Sequence, residues 1–201
     1  MGQGRGARHL GFVNVWPRGH GKVAHELIQG RSVRLRPVDG LRPVARAGWG
    51  GDPEIERYLA QADGGVEYGS RHVRAFAIET LEGAVIGEVL LQDLRWNLGR
   101  AELRVCIGEA PYLGRGLGRD AIGALLEHIE AHWHLREVYL RVHRDNVRAV
   151  RCYEALGFTR SARIRAADGV VLLMSVRLPR PGHERLEGDR AVETGQQVLG
   201  V

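Results

Sequence analysis

Three glycines and two arginines fall within six consecutive residues, Gly114-Arg115-Gly116-Leu117-Gly118-Arg119. Glycine lets a backbone come close to a bound anion and take dihedrals that other residues avoid. Arginine beside such a backbone offers a planar, permanently charged donor fork suited to phosphate. Where the stretch opens a helix, its first amides have no partner inside the helix and sit at the positive end of the helix dipole. The chemistry that follows is a cradle for a diphosphate. The same residues also make an ordinary tight turn before a capped helix, so the turn alone leaves both readings open. Two other phosphate-binding designs fit the pattern less well. No Lys-Ser/Thr pair follows the glycines as in a P-loop, and the G-x-G-x-x-G spacing of a dinucleotide fold is absent.

A second group of candidates lies downstream, in Leu140 to Phe158, LRVHRDNVRAVRCYEALGF. Asp145 or Asn146 is placed to cap a helix. Tyr153 follows Asn146 by two helical turns and shares its face. Gly157-Phe158 has the form of a Schellman ending. Taken singly, each is ordinary: Asn146 as a plain cap, Tyr153 as a half-buried side chain with its hydroxyl at the rim.

The elements that must position these residues are legible as alternating segments. Val33-Arg34-Leu35-Arg36 alternates as a half-buried strand, ended by Pro37. Asp39 caps a possible helix carrying Leu41, Val44 and Ala45. Asp52-Pro53-Glu54 is a helix start with proline at the first helical position. Ala75 to Glu79 and Val85 to Leu91 read as strands joined by the turn Thr80-Leu81-Glu82-Gly83. Ala101 to Ile107 is the strand entering the glycine turn. Leu117, Ala121, Ile122, Leu125, Leu126, Ile129 and Trp133 then recur at helical spacing. Val138, Leu140 and Val142 make the next strand, and a helix follows from about Asn146 to Leu156. Phe158 to Arg165 and Val170 to Leu178 form a hairpin turned at Asp168-Gly169. The strands flanking the glycine turn and its helix can pair in parallel through a right-handed crossover. The expected fold is therefore α/β (α+β, one mixed sheet) with helices on both faces.

The bulk properties bound the rest. The chain has 201 residues, 44% hydrophobic and 26% charged, as in an ordinary globular domain with a sizeable core. Three parts are expected: a poorly ordered extension over 1–30, a domain over 31–178 and a disordered tail over 179–201. No apolar run is long enough for a membrane span, and no secretory signal is visible, so no membrane partner is expected. Cys106 and Cys152 form no ligand cluster and read as core thiols in a reducing cytoplasm. A net charge of +5 raises the question of nucleic acid. The arginines are dispersed and Lys22 is the only lysine, which points to compositional bias rather than a binding face; no specific nucleic-acid partner is expected.

The two motifs together resemble the GNAT superfamily of acyl-CoA N-acyltransferases. That family places a Q/R-x-x-G-x-G/A turn between its fourth strand and third helix, matched here by Leu113 to Gly118. A later N-x-x-A-x-x-x-Y-E-x-x-G-F signature is matched by Asn146, Ala149, Tyr153, Glu154, Gly157 and Phe158. Order and separation also agree, and the likeness covers roughly Val33 to Leu178. Leu113 stands where many members carry Gln or Arg. Val33 to Pro37, Trp49, Asp52 to Ile55 and Arg57-Tyr58-Leu59 look like the ribosomal-protein-alanine N-acetyltransferase branch, which also holds antibiotic and small-amine enzymes.

The resemblance implies a GNAT-type central sheet and acetyl-CoA as acyl donor, bound in an opening between the strand before the glycine turn and the strand after its helix. Backbone of Val105, Cys106 and Ile107 would hold the pantetheine arm. Arg115, Gly116, Leu117, Gly118 and Arg119 would hold the diphosphate, and Asn146 the pantetheine or an ordered water. Tyr153 would be the general acid toward the leaving thiolate, and Glu102 the general base, or else the partner of a neighbouring arginine. Glu109 is a weaker base, and no metal site is expected. The acceptor would be a primary amine, either a protein N-terminus or a small amine, and a homodimer is compatible with the family. The alternative is a non-catalytic acyl-CoA sensor or scaffold on the same fold. The acids of Asp52 to Gly69 lean toward a cationic acceptor.

Overall fold

The structure, a computed structural model, describes residues 27–38, 49–50, 52–53, 55–56 and 70–179. The strands are β1 (Ile28–Gln29), β2 (Val33–Pro37), β3 (Arg74–Thr80), β4 (Val85–Arg95) and β5 (Arg100–Ile107), then β6 (Glu137–His143), β7 (Thr159–Ala166) and β8 (Gly169–Arg177). Among the described residues the long helices are α1 (Leu117–His132), between β5 and β6, and α2 (Val147–Glu154), between β6 and β7, with a short 3-10 turn over Ala110–Tyr112 before α1. All eight strands form one sheet in the order β1-β2-β3-β4-β5-β6-β8-β7. Every pairing is antiparallel except β5 with β6. The expected mixed sheet is therefore present, with its one parallel pair spanning the α1 crossover. Ile28 and Gln29, on the extension side of the expected boundary, are a strand with Ile28 opposite Leu35. The expected helix around Leu41, Val44 and Ala45, and the remainder of both extensions, lie outside the described residues.

Alternation along the strands decides the two faces of the sheet. Val33, Leu35, Phe76, Ile78, Val89, Leu91 and Leu103 bury one face against α1 and α2. A 16-residue helix is marginal in water on its own. Here Ile122, Leu125 and Ile129 are 1%, 0% and 0% exposed, and each such burial stabilises by about 2 kcal/mol. Packing thus holds α1 on the sheet. The opposite face carries a smaller cluster of Trp49, Ile55, Ala77 and Cys106. Ile55 sits in a helical turn started by Asp52, whose Oδ1 accepts its amide at 3.4 Å. Helical structure therefore touches both faces, as expected, with the two long described helices on one.

Candidate active site

Hydrogen-bonded pairing of β5 and β6 stops after three residue pairs, Arg100 with Glu137, Ala101 with Val138 and Glu102 with Tyr139. Beyond them the strands part. The β6-facing edge of Leu103 to Ile107 is left without a strand partner, and a cavity of about 350 Å³ fills the gap. One wall is Leu103 to Ile107, the other Arg141 to His143. Asn146, Ala149, Cys152 and Tyr153 close it from α2, and Gly116 to Arg119 close it from α1.

The glycine turn delivers the start of α1 to the mouth of that cavity. Gly116 is the N-cap residue at φ 79, ψ 0, with no side chain capping the helix. The first amides of α1 are therefore left for a ligand. A Cβ on Gly116 would meet nothing within 4 Å. Glycine is needed there for the handedness of the backbone, not for room. Arg119 and Arg115 flank the turn, Arg115 stacking on Tyr112 at 5.6 Å.

Asp120, in the first turn of α1, was not singled out from sequence. Its carboxylate accepts the backbone amides of Arg31, Ser32 and Val33 at 3.0, 2.7 and 3.1 Å. The anchor ties the glycine-turn end of the helix to the turn before β2. Nothing local to Asp120 announces it, because its partners lie almost ninety residues away.

At α2, Asn146 is the N-cap, its Oδ1 accepting the Ala149 amide at 2.9 Å. Asn146 also lines the cavity. The helix ends as expected in a Schellman motif. Phe158 N–H donates to the Tyr153 carbonyl and Gly157 N–H to the Glu154 carbonyl, both at 3.0 Å, with Gly157 at φ 87. Tyr153 packs on Phe158 with ring centroids 5.8 Å apart while lining the cavity. The terminating glycine therefore also fixes the tyrosine ring. Arg148 and Arg151 line the cavity too; they sit within the N-x-x-A-x-x-x-Y signature, whose fixed positions drew attention away from them.

Glu102 is 4% exposed. Arg141 Nε and Nη2 donate to its two oxygens at 2.7 and 2.8 Å, and Gln92 Nε2 adds a third bond at 3.0 Å. Of the two roles expected for Glu102, the geometry displays the ion pair. The pair also raises the Arg141 guanidinium above its ordinary range. Cys106 and Cys152 both line the cavity. Burial pushes the Cys152 thiol up, and the Arg119 guanidinium beside it opposes that only in part. The His128 and His132 rings lie 4.6 Å apart at a 50° tilt, and neither lines the cavity. His143, by contrast, lines the cavity and meets Asp168 at 3.2 Å. Among the described residues no cluster of His, Cys, Asp and Glu could hold a metal, and no helix is long and apolar enough to cross a membrane.

A mixed sheet that splays beside a glycine-capped helix is the frame that the acetyltransferase resemblance implies. Residues 33–159 match the Acetyltransferase (GNAT) domain model, and the chain belongs to that family. The spermine/spermidine N(1)-acetyltransferase of Bacillus subtilis is 34% identical over 47 residues, 23% of this chain and 31% of that protein. This chain thus matches only about a third of that enzyme's length. A kanamycin resistance protein of Rhizobium radiobacter is 32% identical over 91 residues, 43% of this chain and 84% of that protein. A chimera built on Vibrio cholerae spermidine N-acetyltransferase superimposes with TM-score 0.56 at 20% identity, over 73% of this chain and 95% of that one. The dodecameric spermidine N-acetyltransferase of the same organism gives 0.54 at 20% identity, over 73% and 94%. At that identity the likeness speaks for the fold. These relatives carry polyamine and aminoglycoside names, and do not single out the ribosomal-protein-alanine branch.

Proposed function

We propose that this protein is an acetyl-CoA-dependent N-acetyltransferase whose acceptor is a primary amine of a small polycation. One observation carries the donor half: the unpaired edge of β5 and the uncapped start of α1 open into the same cavity. Both fit coenzyme A. Backbone of Val105 to Ile107 would take the pantetheine amides as an added strand. The amides of Leu117, Gly118 and Arg119, with the Arg115 and Arg119 side chains, would take the diphosphate. Asn146 would hold the pantetheine arm. Support for the acceptor comes from the polyamine and kanamycin relatives and from the acids of Asp52 to Gly69.

Attack needs a neutral amine. A lysine-like amine of pKa about 10.4 is neutral to roughly one part in a few thousand at pH 7, an α-amine near 8 to roughly a tenth. The Glu102 oxygens are already taken by Arg141 and Gln92, so we assign deprotonation to solvent ahead of attack, and the rate should rise with pH toward the amine's own pKa. The nitrogen bonds to the thioester carbon and the carbonyl electrons move to oxygen. The adduct's ammonium proton passes to water. Collapse restores the carbonyl and breaks the C–S bond. Tyr153 gives its hydroxyl proton to the leaving sulfur and regains one from solvent. The products are the N-acetylated amine and coenzyme A as free thiol.

The test is calorimetry with coenzyme A and acetyl-CoA, followed by thiol release over spermidine, kanamycin and an N-terminal peptide. Release with the polycations supports the proposal. Release with the peptide alone moves the acceptor to a protein N-terminus. Acetyl-CoA binding with no release for any amine makes the protein a sensor or scaffold, and no binding at all overturns the whole reading.

A further inference from the structure

The Glu102–Arg141 pair stands where β5 and β6 separate. Glu102 is in the last hydrogen-bonded pair of the two strands, and Arg141 lies two residues beyond Tyr139, its opposite number. The carboxylate is buried, with a side-chain exposure of 5%, whereas the arginine side chain is 56% exposed and lines the cavity. Glu102 takes Nε and Nη2. Among the described residues nothing takes the two hydrogens of Nη1. A guanidinium is therefore clamped by two of its three nitrogens at the narrow end of the wedge, with the third bonded to none of the described residues. The glycine turn lies at the wide end, past Ile107. A pantetheine arm running from that turn along β5 would bring its acyl end to the apex.

On the reading of the site as an acetyl-CoA cavity, we propose that Arg141 Nη1 donates a hydrogen bond to the thioester carbonyl oxygen of the bound donor, and that Glu102, oriented by Gln92, is the positioning residue that aims it. The bond strengthens as that oxygen gains negative charge during attack. An arginine has the needed fork; a lysine cannot pair with two carboxylate oxygens and still present a fixed third donor.

The distinguishing measurement is calorimetric affinity for acetyl-CoA beside that for free coenzyme A, which has no acyl oxygen. Arg141→Gln is expected to weaken acetyl-CoA binding about tenfold, a hydrogen bond from a charged donor, while leaving coenzyme A within about twofold. kcat should fall further than the binding does. Arg141→Gln alone strands the buried Glu102 charge and can unfold the protein; Arg141→Gln with Glu102→Gln removes that charge and is expected to show the same selective loss. Glu102→Gln alone should show a smaller loss in the same direction, with the shape of the pH–rate profile unchanged. Equal weakening toward both ligands, or none toward either, overturns the proposal while leaving the acetyl-CoA reading intact. Loss of the acid limb of the profile in Glu102→Gln would instead make Glu102 a base and also overturn it. If the unaltered protein binds neither ligand, both readings fall together.

Discussion

Asp120 Oδ2 accepts the backbone amide of Ser32 at 2.7 Å, so the helix that opens at the glycine turn is tied directly to the turn ahead of β2. Flanking bonds from Arg31 and Val33 complete the anchor. Asp120→Asn puts an amide donor where three donors converge. It should lower stability by about 1–3 kcal/mol, read as a fall in Tm. Coenzyme A affinity should fall with it if, as proposed, the same turn of helix supplies the diphosphate amides. A variant with unchanged Tm would remove the anchor from the argument.

Gly116 and Gly118 separate backbone handedness from ligand room. Gly116→Ala places a Cβ in open space at a φ of 79°, which costs roughly 1–2 kcal/mol; both Tm and coenzyme A affinity should drop. In Gly118→Ala the new Cβ would meet Ile107 Cγ1 at 3.7 Å, an ordinary contact. Tm should hold while coenzyme A affinity falls about tenfold or more. Equal affinities in both variants and the unaltered protein would place the diphosphate elsewhere.

Tyr153 tests the proton given to sulfur. Tyr153→Phe keeps the ring against Phe158 at 5.8 Å and the Schellman bonds around it. kcat should fall roughly ten- to a thousandfold, with KM for acetyl-CoA and Tm little changed. An unaltered kcat would take Tyr153 out of the reaction.

Tyr139 gives an alkaline signature. Burial raises its phenol to about 12, helped by its hydrogen bond to Asp93 and by the nearby Glu102 charge. Its folded pKa lies above the unfolded value of about 10. The stability this contributes is complete below pH 10 and is lost as pH rises toward 12. Tyr139→Phe should flatten that part of the stability curve. In the difference titration of tyrosinate absorbance, the transition near 12 should disappear with it; a transition near 10 would contradict the buried environment.

Much of the fold was legible because its signals are local. The alternation of Val138, Leu140 and Val142, the helical spacing from Leu117 to Trp133 and the Gly157-Phe158 ending each depend on a few neighbouring residues, and the structure places β6, α1 and the Schellman motif there. Boundaries moved only at the ends: β4 runs on to Arg95 through a bulge near Asp93, which takes a φ of 46°. That extension is fixed by pairing with β5, which no local pattern in β4 can announce. At the site, the glycine turn, Asn146 and Tyr153 were visible because their spacing repeats the geometry of one turn or one helix face. Asp120, Gln92 and Arg141 were not, since each acts on a residue distant in sequence.

By itself the sequence determined most of the strands and helices, though not β1, and placed glycine at Gly116, where an L side chain is strained whatever surrounds it. Only the tertiary structure decided that β5 and β6 part after Glu102 and Tyr139, and that Glu102 is held by Arg141. Backbone preference and periodicity are properties of neighbours along a chain. A cleft between two strands, and the charge pair at its apex, exist only once the α1 crossover has brought residues nearly forty apart to within a hydrogen bond of each other.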